Sequence, residues 1–181
     1  MMDFHYNVIQ EQFGDRAKLI YSDTDSFVYE IEHDNMYNWI QENKGWFDLS
    51  KSEREDLKCK DNENILGKFK DELHSLVMIE FLGLNPKTYA FRSQKEDNDI
   101  SEIKEAKGVP FATVAEDMNF ESYEKVLQEG NLAKRKITHI GSFSQQLFTF
   151  NTHKIILNAF YYRMKMRNKI DCEPYGFLKD D

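Results

Sequence analysis

Leu19-Ile20-Tyr21-Ser22-Asp23-Thr24-Asp25-Ser26-Phe27-Val28-Tyr29 sets two apolar, β-prone arms around an acidic, turn-prone centre. That pattern predicts a hairpin: a strand over 17–22, a turn at 23–25 and a strand over 26–32. In extended chain, residues two apart point to one side, so Asp23 and Asp25 either converge on a cation or repel each other. Magnesium held by one or two carboxylates together with substrate phosphates is a common solution for such a pair. A type I turn in which Asp and Ser satisfy backbone groups, with no ion, accounts for the same residues.

Upstream of the hairpin, Phe4, Val8, Ile9 and Phe13 fall near helical spacing, and Gly14 follows as a stop. A helix over 3–13 is predicted. Downstream, Asp34 is positioned to cap a helix over 35–42, and Ser50 with Glu53 forms a capping-box pattern for a polar helix over 51–58. Strands are predicted over 67–72, 76–82 and 87–92, with a turn at Asn85-Pro86 and a polar loop or hairpin tip over 93–105. Asn119 caps a helix over 120–129 that Gly130 ends, and two loosely alternating runs, 136–150 and 153–166, complete a second β-rich unit. The fold class is α+β: an antiparallel sheet with packed helices in residues 1–105, and a small basic, β-rich lobe in 106–181.

The formal net charge of the 181 residues is −8, but it is unevenly spread. Residues 1–130 carry 15 Lys+Arg against 28 Asp+Glu, whereas residues 131–170 carry 8 Lys+Arg and no acid. An acidic body beside a basic stretch points to a polyanion-facing element, with a solvated basic face as the plain alternative. Mean hydropathy is −0.69, and no apolar run reaches the roughly 18 residues of a membrane-spanning helix, so no membrane partner is expected. Two distant cysteines, Cys59 and Cys172, are too few for a disulfide framework and point to an intracellular, reducing compartment. No G-x-x-x-x-G-K-[ST] loop and no H-x-x-E-H pairing occurs, which removes P-loop and zinc-hydrolase readings.

Tyr21-Ser22-Asp23-Thr24-Asp25-Ser26 resembles the Y-x-D-T-D-S motif of family B DNA polymerases, carried at the tip of a palm hairpin. Lys87-Thr88-Tyr89, about sixty residues on, is similar to that family's K-x-Y motif. Phe4-His5-Tyr6, Gly67-Lys68-Phe69-Lys70 and Pro174-Tyr175-Gly176 resemble its protein-primed branch, found in phages, adenoviruses, linear plasmids and Polintons. The resemblance implies DNA-directed DNA polymerase chemistry with two magnesium or manganese ions, and primer-template DNA, deoxynucleoside triphosphates and a terminal protein primer as partners. It implies that Asp25 binds metal directly, that Asp23 assists, and that Thr24, Ser26 and Tyr21 fix the turn. Lys87 and Tyr89 would contact the primer from one face of a strand, and Lys107 of the K-x-G-like Lys107-Gly108-Val109 would touch DNA. The basic stretch, including Lys134, Arg135 and Lys136, corresponds by position to a thumb that grips duplex DNA. Its aromatic residues, Phe143, Phe148, Phe150, Phe160, Tyr161 and Tyr162, are expected in that lobe's core and not as base-stacking platforms, the alternative role for such rings.

Lys154 to Tyr161 superficially resembles the fingers motif K-x-x-x-N-S-x-Y-G, but it follows the D-T-D hairpin, and Tyr162 stands where that motif has glycine. The palm motif D-x-x-S-L-Y-P, which carries the partner carboxylate, has no counterpart here. The resemblance therefore implies the second half of a palm plus a thumb, inactive alone because one carboxylate cluster cannot assemble a two-metal site. A catalytically incomplete remnant that binds DNA non-specifically is the alternative.

Overall fold

The computed structural model describes residues 1–74, 76–94, 99–160, 164–166 and 172–174. The fold is mixed α+β, with antiparallel sheets and a few helices, in two compact units: residues 1–77, and a second running from 78 to 94 and from 99 onward. The break therefore falls earlier in the chain than the 105/106 boundary expected from sequence.

In the first unit, residues 2–13 form one helix whose middle, His5–Gln10, is wound as a π-helix between α-helical Met2–Phe4 and Glu11–Phe13. The wider winding brings residues five apart, such as Phe4 and Ile9, toward one line, and both are buried. Gly14 ends the helix at φ +52°, a left-handed conformation that glycine adopts without a β-carbon clash. Strands β1 (Ala17–Asp23) and β2 (Ser26–Ile31) then pair antiparallel. Phe27, Tyr29 and Ile31, alternate residues of β2, pack on the helix, so the other face of the hairpin, with Tyr21 and Asp23, turns away from this core. Trp39 of the Met36–Glu42 helix, 3% exposed, closes the cluster, and Phe4 meets the rings of Trp46, Phe47 and Phe69.

Residues 44–70 contain little regular structure and are tied together by the buried carboxylate of Asp48. It accepts from the Ser50 hydroxyl (2.6 Å), the Ser50 N–H (3.1 Å) and the Asn64 N–H (2.9 Å), and Lys70 Nζ lies 3.3 Å away. The Ser50 hydroxyl bond, with those from Asn64 and Lys70, holds the Asp48 carboxyl well below the usual carboxylate range.

The helix expected over 51–58 does not form, because Ser50 spends its hydroxyl and its N–H on Asp48 instead of opening a helix. The strand expected over 67–72 reduces to a single bridge between Phe47 and Phe69. The cap of the Met36–Glu42 helix is Asn35, which accepts from Asn38 N–H at 3.2 Å, and not Asp34.

The second unit holds a sheet of order β3 (Val77–Asn85), β4 (Thr88–Gln94) and β5 (Ile100–Ala106). The described strands thus form separate sheets and not the single antiparallel sheet expected of residues 1–105, since β1 and β2 pack through their aromatic face on their own helix. Strand β5 replaces most of the loop predicted over 93–105. Its Glu102 joins a cluster on Arg92 of β4, which bonds Glu80 (2.9 Å), Glu102 (3.1 Å) and Glu121, with its guanidinium 4.4 Å from the Phe120 ring centroid. These carboxylates, Glu80 foremost, hold the Arg92 guanidinium above its ordinary pKa.

Glu102 also accepts the Phe120 N–H (3.2 Å) and Asn119 accepts the Ser122 N–H (3.0 Å), two satisfied donors at the start of the Phe120–Glu129 helix. Gly130 ends it in the left-handed region at φ +66°. A further helix, Phe111–Asp117, carries no recognisable cap and was not expected from sequence. Tyr123, fully buried, donates to the Glu105 carbonyl (3.0 Å) at the centre of a core with Leu82, Ala90, Val126, Ile137 and Leu157. Burial pushes its phenol above the ordinary value.

Strands β6 (Ala133–Phe143) and β7 (Gln146–Leu157) make a long two-stranded ribbon turning at Ser144-Gln145, both with positive φ. The runs expected over 136–150 and 153–166 are thereby cut at a different place. A Ser-Gln pair lacks the Asn-Gly or Asp-Gly signature of a turn with two positive φ angles. A short pair, β8 (Met164–Met166) and β9 (Cys172–Pro174), follows. Tyr161, Tyr162, Tyr175 and Gly176 lie outside the described residues.

Candidate functional site

The acidic candidate is the tip of the β1–β2 hairpin. Asp23 pairs with Ser26 in the last rung, leaving a two-residue loop of Thr24 and Asp25. Thr24 sits at φ +50°, an outlier for a β-branched residue, so the turn is not the type I form considered from sequence. Three contacts hold it: Asp25 N–H and Ser26 Oγ both donate to the Asp23 carbonyl (2.5 and 3.1 Å), and Thr24 Oγ1 donates to Asp23 Oδ1 (3.0 Å). A bulge between Leu19 and Tyr21 leaves Ile20 without an opposite residue and resets the register, so that Tyr21 and Asp23 share the face away from the aromatic core. Below the tip, His5 Nδ1 lies 2.9 Å from the Tyr29 hydroxyl, and burial raises the Tyr29 phenol to about 12.

Asp25 is exposed, and its carboxylate takes no hydrogen bond from the described residues. Two hard oxygen donors on one turn suit magnesium or manganese. Among the described residues, however, no three His, Cys, Asp or Glu side chains gather around a common point. Asp23 and Asp25 by themselves fall short of a full donor set for such an ion.

The basic candidates belong to the second unit. Lys87 does not lie on a strand with Tyr89 as expected. It occupies the turn after Pro86 at φ +61°, the pattern of a type II turn with proline at its first central position. Tyr89, half-buried, is stacked between Phe81 (5.8 Å) and Phe91 (6.3 Å). Because Thr88 pairs with Ala106, Lys87 and Lys107 emerge side by side at one end of the sheet, where Lys107 N–H donates to Thr88 Oγ1 (3.3 Å).

Lys154 Nζ reaches the Gly108 carbonyl (2.5 Å) and pairs across the ribbon with Arg135, while Asn85 Nδ2 donates to the Asn158 carbonyl (2.8 Å). Lys154 thus lies next to the Lys107-Gly108 turn and faces Arg135 across the ribbon. Lys154 was not singled out as a contact residue from sequence; its strand pairing with Arg135 is the signal that identifies it. Lys134 and Lys136 alternate with Arg135 and occupy the opposite face of the ribbon.

Comparison with models of known protein families, with curated proteins and with solved structures finds no match. Among the described residues no helix is long and apolar enough to cross a membrane.

Proposed function

We propose that this chain is part of a DNA-directed DNA polymerase resembling family B, protein-primed branch, contributing the D-T-D hairpin of the palm and a basic, thumb-like lobe. The observation that carries this reading is the tip geometry: Tyr21 to Ser26 closes as a two-residue hairpin loop with Asp23 on the last rung and Asp25 next to it in the loop. Asp25 would hold a divalent cation with Asp23 adjacent, and a carboxylate from another segment would complete the set. Bound there, the metals would neutralise charge on the triphosphate and activate the primer hydroxyl. The chain's own part is positioning: Thr24 and Ser26 fix the turn, and Lys87, Lys107, Lys134, Arg135 and Lys136 take backbone phosphates without reading sequence.

The exposure of Asp25 and the absence of a third donor among the described residues favour a second reading, a non-catalytic DNA-binding module. One experiment separates the two. Manganese titrated into the chain bound to primer-template and deoxynucleoside triphosphate is expected to broaden the amide NMR signals of residues 22–26 selectively, and Asp25→Ala to abolish that effect. DNA binding without selective broadening assigns the chain to the second reading, and no DNA binding removes both.

A further inference from the structure

Beyond Ile137 no core cluster of the described residues lies beneath the β6–β7 ribbon. From Thr138 to Asn151 every residue is exposed except half-buried His139 and Gly141. Phe143, Phe148 and Phe150, expected in a core, are 76%, 47% and 44% exposed. The rungs Phe143 with Gln146, Gly141 with Phe148 and His139 with Phe150 alternate along the ladder, so the three phenylalanines share one face. Successive rungs on that face are about 7 Å apart along the strand.

The Phe150 ring lies over Gly141, where a β-carbon would come within 2.5 Å of its Cε1, and it meets the His139 ring edge-on at 4.2 Å. A ring pinned in this way loses little freedom when a second flat group covers it. Toward the stem, the rung of Arg135 with Lys154 falls on the same face as the phenylalanines, and residues 131–170 contain no Asp or Glu.

We propose that this aromatic face is a stacking platform for single-stranded nucleic acid, with unpaired bases on Phe143, Phe148 and Phe150 and the stem cations on the adjoining phosphates. The proposal rests on the nucleic-acid reading above and adds to it the form of the ligand. Every base offers a π-face when unpaired, whereas a closed duplex covers those faces and leaves the rings nothing to stack on. A lipid bilayer is the poorer partner, because both edges of a two-stranded ribbon would carry unpaired backbone N–H and C=O groups into hydrocarbon.

The test compares the full chain with Phe148→Leu, Phe150→Leu and Phe150→Tyr. The probes are a short single-stranded oligodeoxynucleotide carrying 2-aminopurine, a blunt duplex of the same sequence, and phosphatidylserine vesicles. Each Leu substitution is expected to weaken single-strand binding about tenfold and relieve 2-aminopurine quenching, with duplex binding unchanged and Phe150→Tyr close to wild type. Equal binding of the single strand by the Leu variants, with duplex binding intact, overturns the platform and leaves the nucleic-acid reading standing. Loss of binding to both DNA forms by the unsubstituted chain overturns both. Vesicle binding that depends on the phenylalanines, without oligonucleotide binding, assigns the face to a membrane surface and overturns the proposal.

Discussion

Thr24 and Asp48 show how single residues set local energetics in the first unit. A β-branched residue at φ +50° costs of the order of 1–2 kcal/mol, and it stays there because the rung below and the bonds to Asp23 over-determine the turn. Thr24→Gly is therefore expected to stabilise the hairpin by about 0.5–1 kcal/mol, read as a raised urea midpoint. It should also loosen the position of Asp25, read as weaker manganese broadening at the tip.

Asp48 works through protonation. Its folded carboxyl lies below the unfolded value of about 3.9, so its contribution is complete at neutral pH and is lost as pH falls through about 4 toward the folded value. Thermal unfolding followed from pH 7 to pH 3 should show wild type losing stability more steeply than Asp48→Asn. The variant starts lower at pH 7 and has the flatter profile.

Among the elements, the ones legible in the sequence are those whose signals are local. The β1–β2 hairpin and the Phe120–Glu129 helix follow from alternation in one case and from Asn119 and Gly130 in the other. Asn119→Ala removes the acceptor for the Ser122 N–H and should cost about 1 kcal/mol in equilibrium unfolding. What was not legible depends on distant partners. Glu102, Lys104 and Glu105 make residues 100–106 look like an exposed loop, until Arg92 takes Glu102 and the Met118 carbonyl takes Lys104 at 2.6 Å.

Ser50 and Glu53 look like a cap until Asp48 claims the serine. The phenylalanines of β7 read as core because aromatic residues usually are, and only the length of the ribbon shows that they outrun it. Of the site, the D-T-D tip was readable from its six residues. The meeting of Lys87 with Lys107 was not, since it depends on the rung between Thr88 and Ala106.

At the scale of the whole molecule, an acidic chain is proposed to bind a polyanion, and the resolution lies in where its charge sits. Net charge is −8, yet residues 131–170 carry only cations among their charged side chains. If Lys87, Lys107, Lys134, Arg135 and Lys136 each meet a phosphate, log affinity for duplex DNA should fall against log salt with a slope of about −4 to −5. Lys136→Ala should reduce that slope by about 1, whatever the base sequence. A slope near zero would dissociate the basic lobe from DNA altogether.

The two-stranded ribbon has one more consequence, for handling the protein. With no third strand on either side among the described residues, its outer N–H and C=O groups are a template for a second copy, and Phe143, Leu147 and Phe148 would reward that contact. Mutual repulsion between Lys134, Arg135 and Lys136 on approaching copies is what opposes it. Concentrated salt, the usual means of stripping nucleic acid during purification, screens that repulsion and should drive the protein into oligomers.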